Sequence, residues 1–170
     1  MNTVRNEWLL YHGAVVQVAQ PLTHVGRRDL DFGPGFYMTN DREQAVKWAL
    51  TKAGRKPGTE AVLNTYMFNS EEFRNDTGYK IKMFPEYNVE WLDFIAQSRK
   101  NHKPWEDYDW IEGGIANDRV ISTVDAYIDG FLTAEQAMDK LVNEHLRHQV
   151  CIRNQEIIDK YLVFLSSEVL

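Results

Sequence analysis

Four helical segments of this chain each open on a readable cap, and strand-like runs lie between them without the strand–helix–strand rhythm of a parallel sheet. Asn40 caps a run to Lys52, with Glu43 placed for a capping box and Ala45, Val46, Ala49 and Leu50 on one face. Asn88 precedes Trp91, Leu92 and Ile95. Asn117 or Asp118 opens a run carrying Val120, Val124, Tyr127 and Ile128, stopped by Gly130. Thr133 with Gln136 forms a second capping box ahead of Ala137, Met138, Leu141 and Val142. Strands are expected at Glu7–Val18, broken or bulged near Gly13, at Glu60–Phe68, and at Gly78–Phe84, where Tyr79, Ile81 and Met83 alternate with Lys80 and Lys82. Two short β-like runs, His148–Arg153 and Tyr161–Leu165, close the chain around a helical turn at Asn154–Asp159. Leu22–Gly35 and Arg99–Asp107 read as loops, the first long enough to carry function. The expectation is one α+β domain over residues 1–170 with a largely antiparallel sheet.

Composition removes several function classes. The 170 residues hold 19 Lys+Arg against 25 Asp+Glu, a formal charge of −6, with 44% apolar and 12% aromatic residues. That content is ample for a core and argues against disorder. A net-negative chain is a poor sequence-independent nucleic-acid binder unless its cations are gathered in one patch. One cysteine, Cys151, excludes a disulfide framework and a cysteine-built zinc site. No apolar run is long enough to span a bilayer, and the N-terminus lacks a secretory pattern, so a cytoplasmic protein without a membrane anchor is expected.

Few side chains stand out as chemistry on their own. His145 and His148 lie three apart without a partner pair and read as solvated residues at a helix end, so no metal is expected. Cys151, between Val150 and Ile152, reads as a buried and inert thiol. Trp105, Tyr108 and Trp110 read as core packing, with a substrate or partner surface as the alternative. Leu9-Leu10-Tyr11-His12-Gly13-Ala14 differs, because it sets a histidine and a glycine inside an apolar strand, a pattern that marks a bulge or a close backbone approach. Some 20 residues later, Phe32-Gly33-Pro34-Gly35-Phe36-Tyr37-Met38-Thr39 runs into the first helix.

This pair of segments resembles the nicotinamide-binding core of the ADP-ribosyltransferase superfamily, nearest its poly(ADP-ribose) polymerase and diphtheria-toxin branch, with Ala14 where Ser or Thr is usual. Gly114-Ile115-Ala116-Asn117-Asp118-Arg119-Val120, His148-Gln149-Val150-Cys151-Ile152 and Leu162-x-Phe164 extend the likeness nearly end to end, to one bacterial family of that superfamily known as a domain of unknown function. The resemblance implies a split antiparallel β-sheet core flanked by helices, and NAD as co-substrate. It implies that His12 bonds the adenosine ribose, that the Gly13 backbone pairs with the nicotinamide carboxamide, and that Tyr37 stacks on the nicotinamide ring. These roles suit an imidazole, a glycine and an aromatic face.

The superfamily's third position, a glutamate on the nicotinamide ribose, matches Gln149 here, with Gln155 the weaker alternative. A neutral amide holds a hydroxyl but offers no negative charge to a developing cation, a loss of roughly 10²–10³ in rate. Asp118, or else Asp29 or Asp31, is the candidate stand-in carboxylate, although helix capping is the favoured reading of Asn117 and Asp118. Arg28, with Arg27, lies where a pyrophosphate would pass or else in solvent. Lys47, Lys52, Arg55 and Lys56 would supply a basic groove for a nucleic-acid acceptor, or simply complement the helix dipole. The expected activity is therefore NAD-dependent ADP-ribosyl transfer of His-Tyr-Gln type to a protein or nucleic-acid acceptor. By family analogy it belongs to a toxin-antitoxin or phage-defence system with a small antitoxin as partner. A catalytically silent NAD or ADP-ribose-binding module and an NAD glycohydrolase are the alternatives.

Overall fold

The computed structural model describes residues 7–26, 30–116 and 118–170. It is an α+β architecture built on two sheets. Strands β1 (Glu7–Ala14), β3 (Val62–Asn69) and β7 (Leu162–Val169) form an antiparallel sheet in the order β1-β3-β7. Strands β2 (Phe36–Met38), β4 (Ile81–Met83), β5 (Trp110–Gly114) and β6 (His148–Ile152) form the second, ordered β2-β6-β5-β4. Among the described strands only the β4–β5 pair is parallel. The sheets touch edge to edge at one backbone bridge, where the N–H groups of Tyr11 and Thr39 each donate to the other's carbonyl at 2.8 and 3.0 Å.

Period-2 alternation divides each strand between two layers. Leu10, Tyr66 and Phe68 from the first sheet meet Phe36, Met38, Trp110, Val150 and Ile152 from the second in a buried aromatic core. The opposite face of the second sheet presents Ile111 and Cys151 to helices α3 (Val89–Arg99), α4 (Asp118–Ile128) and α5 (Ala134–Leu141). Trp91, Leu92, Ile95, Val120, Val124, Ala137 and Leu141 fill that second core, as the helical periodicity anticipates. The caps at Asn88 and Thr133, the Thr133–Gln136 box and the stop at Gly130 (φ +79°) are all present.

Several expectations are corrected. Helix α1 (Arg42–Gly54) is capped by Asp41, whose side chain accepts from the Gln44 N–H, rather than by Asn40. Its buried face is Gln44, Ala45 and Ala49, whereas Leu50 is exposed. β1 stops at Ala14 and keeps an unbroken register through Gly13; the irregularity falls between β3 and β7 at Thr65/Tyr66. Ile81 and Met83 are exposed on β4, the last strand of its sheet. Trp110 opens strand β5, which the aromatic spacing had concealed, and Ser70–Asn75 forms a short helix α2. Helix α6 (Gln155–Tyr161) starts at the Asn154 cap and leads directly into β7.

Candidate functional site

β1 leaves the second sheet beyond the Tyr11–Thr39 bridge, and a cleft of about 1220 Å³ opens where the two diverge. His12, Tyr37 and Gln149, from β1, β2 and β6, all line it. The second sheet brings two of them together by register. Tyr37 faces Cys151 across the β2–β6 pair, and Gln149 is two residues from Cys151, so both side chains emerge on one face.

His12 is fixed by its ring nitrogen Nδ1, 2.7 Å from the Tyr37 carbonyl oxygen. A carbonyl only accepts, so Nδ1 carries the proton and Nε2 of the neutral ring is an acceptor. Burial, reinforced by the charge of Lys52, lowers the His12 pKa to about 4, and the bond to Tyr37 opposes this only in part. The imidazole is therefore neutral at physiological pH.

Gly13 has a packing requirement of its own. A Cβ there would lie 2.1 Å from the Ala45 carbonyl oxygen and 2.7 Å from the Ala49 nitrogen, so only glycine lets α1 sit on β1. Because Tyr11 directs its N–H and C=O to Thr39, alternation directs those of Gly13 to the same edge, past the end of the bridge. The carbonyl accepts from Lys52 Nζ at 2.6 Å and keeps a second lone pair.

Tyr37 is held by both ends of its hydroxyl. The O–H donates to the Gly33 carbonyl at 2.6 Å and accepts from the Phe32 N–H at 3.1 Å, and burial pushes its pKa well above the ordinary tyrosine value. The loop it grips is locked from behind. Gly33 (φ +79°) seats against Trp105, Gly35 lies against Cys151 and Ile152, and Arg153 stacks 4.3 Å over Trp105 while donating to the Pro34 carbonyl. Trp105 is thus a packing residue, and Cys151 is a buried thiol whose pKa is pushed up to about 12 by burial.

Gln149 is buried, and its Nε2 donates to the Gly114 carbonyl at 3.3 Å. Gln155 is placed elsewhere: it accepts from the Thr23 N–H and donates to the Pro21 carbonyl and to Asp159. Its amide fastens the long loop and is not among the residues lining the cleft, whereas Gln149 is.

Asp31 alone among the described acids lines the cleft. Burial raises its pKa, opposed by the Arg99 guanidinium at 3.1 Å, which also pairs with Asp125. Arg28, Asn117 and Asp29 fall outside the described residues, as does the side chain of Asp118. His148 corrects the sequence reading. It lies in β6 on the face away from Gln149, and its Nε2 pairs with Glu112 at 2.8 Å rather than with solvent. Among the described residues no three His, Cys, Asp or Glu side chains gather to hold a metal ion, and no helix is long and apolar enough to cross a membrane.

Residues 8–164 match the family described as "Protein of unknown function (DUF3990)", and the chain belongs to that family. No curated protein and no solved structure matches the chain.

Proposed function

We propose that the protein is an NAD-dependent ADP-ribosyltransferase of His-Tyr-Gln type. One observation carries this reading: three residues separated by up to 137 positions in sequence, His12, Tyr37 and Gln149, line one cleft at the split between the sheets. Their polar atoms suit the ligand. The Tyr37 ring offers a flat face for nicotinamide. The outward N–H and the spare carbonyl lone pair of Gly13 match a carboxamide, which both accepts and donates. His12 Nε2 accepts from a ribose hydroxyl. Gln149 Oε1 accepts from the hydroxyl of the nicotinamide ribose while Nε2 stays on Gly114.

In the reaction the glycosidic bond to C1′ breaks and its electron pair leaves with neutral nicotinamide. An acceptor oxygen or nitrogen bonds to C1′ and releases its proton to water. Positive charge growing at C1′ needs a negative partner that Gln149 lacks; among the described acids only Asp31 lines the cleft, and its charge is shared with Arg99.

The test is to incubate the pure protein, with and without cell lysate, with labelled NAD, following free nicotinamide and macromolecular label. Release abolished by His12→Ala and Tyr37→Ala, in variants whose circular dichroism is unchanged, is the expected outcome. No release in either preparation overturns it. The neutral Gln149 favours a second reading, a silent NAD-binding module, which predicts saturable NAD binding without release.

A further inference from the structure

The cleft, about 1220 Å³, exceeds the roughly 300–1,000 Å³ of typical small-ligand sites. One wall is the C-terminal half of α1 with the turn that follows it. Trp48 and Lys52 lie one helical turn apart, Arg55 caps the helix and Lys56 follows it, and all four line the cleft with His12. Trp48 is half-buried, lines the cleft and lies outside both core clusters of the described residues. Arg55 and Lys56 are exposed. Across the cleft Asp31 is already paired with Arg99. A chain with net charge −6 has thus gathered cations, with an aromatic ring among them, along one wall of its cleft.

We propose that this wall binds single-stranded nucleic acid, and that the acceptor of the transfer proposed above, on which this inference rests, is a nucleotide of that strand. Phosphates pair with Lys and Arg, and a base stacks on an indole whatever its identity. Together they lay a strand along α1 with one nucleotide directed toward His12 and Tyr37. A duplex, whose bases are already stacked and paired, offers Trp48 no free base face. A base nitrogen or ribose oxygen forms the new bond to C1′, nicotinamide leaves with the electron pair, and the displaced proton passes to water.

The probe is a fluorescein-labelled single-stranded RNA of roughly 12 nucleotides, titrated with the full-length protein without NAD and followed by anisotropy. Saturable binding is expected, with a log–log salt slope of about −2 for three phosphate contacts. Arg55→Glu/Lys56→Glu and, separately, Trp48→Ala each weaken it by about tenfold or more, whereas a duplex of the same sequence competes poorly. With labelled NAD, the label moves onto the single strand. An affinity unchanged by both variants overturns the proposal, as does label that enters only protein in a lysate. Nicotinamide release from the protein alone is scored in parallel: its loss with strand binding intact removes the transferase reading, whereas release without strand binding removes this one.

Discussion

The Nδ1–H of His12 donates to the Tyr37 carbonyl over 2.7 Å and so ties β1 to β2 one residue beyond their last backbone bridge. That side-chain bond holds the mouth of the cleft and sets the histidine tautomer at the same time.

His12 makes the protein sensitive to acid in a definite window. Its pKa of about 4 lies below the unfolded value of 6.5, so between these limits the unfolded chain binds the extra proton. Stability is full above pH 6.5 and falls as pH drops toward 4, with a slope of up to about 1.4 kcal/mol per unit from this group. Urea denaturation of the wild type and His12→Gln between pH 4 and 7 checks this: the variant shows the shallower dependence.

Gly13→Ala drives a methyl group into the Ala45 carbonyl, a backbone atom that cannot swing aside. A loss of about 3 kcal/mol is expected, at the upper end of overpacking costs. The denaturation midpoint reports it.

Tyr37→Phe separates the ring from its hydroxyl. Removing the oxygen leaves the Gly33 carbonyl and the Phe32 N–H without that partner, which lowers stability by about 1–3 kcal/mol. The stacking face survives, so nicotinamide release in the proposed reaction falls by less than about tenfold, whereas Tyr37→Ala abolishes it. Thermal melting and release assays on the two variants separate these contributions.

Gln149→Glu restores a negative charge beside the proposed reacting carbon. Nicotinamide release rises by about tenfold or more. The fold weakens in exchange, since a carboxylate oxygen would face the Gly114 carbonyl now bonded by the amide. Single-turnover rates and melting temperatures of this variant move in opposite directions.

Cys151 stays unreactive in the folded protein. Its thiol is buried and its pKa is pushed up to about 12, so the thiolate is scarce at neutral pH. Iodoacetamide at pH 7.5 labels it only after denaturation, as intact-mass measurement shows.

Helix positions, most caps and much of the two cores were legible in the sequence, because capping and periodicity are local; His12, Tyr37 and Gln149 were brought together only by the family resemblance, and their convergence on one cleft is a matter of tertiary structure. Other features depend on contacts between distant segments. Gly13 looks like a ligand-facing glycine in sequence, and only the docking of α1 shows that Ala45 and Ala49 also require it. Ile81 and Met83 alternate with Lys80 and Lys82 as a strand requires, but which face of β4 is exposed is set by the packing of the sheets. His148 reads as solvated until β5 brings Glu112 against it. Gln149 and Gln155 are equal in chemistry, and pairing of β6 with β2 decides which one lines the cleft. Sequence determines what each segment can form by itself. Tertiary structure decides which faces meet, since hydrogen-bond partners and burial belong to residues far apart in the chain.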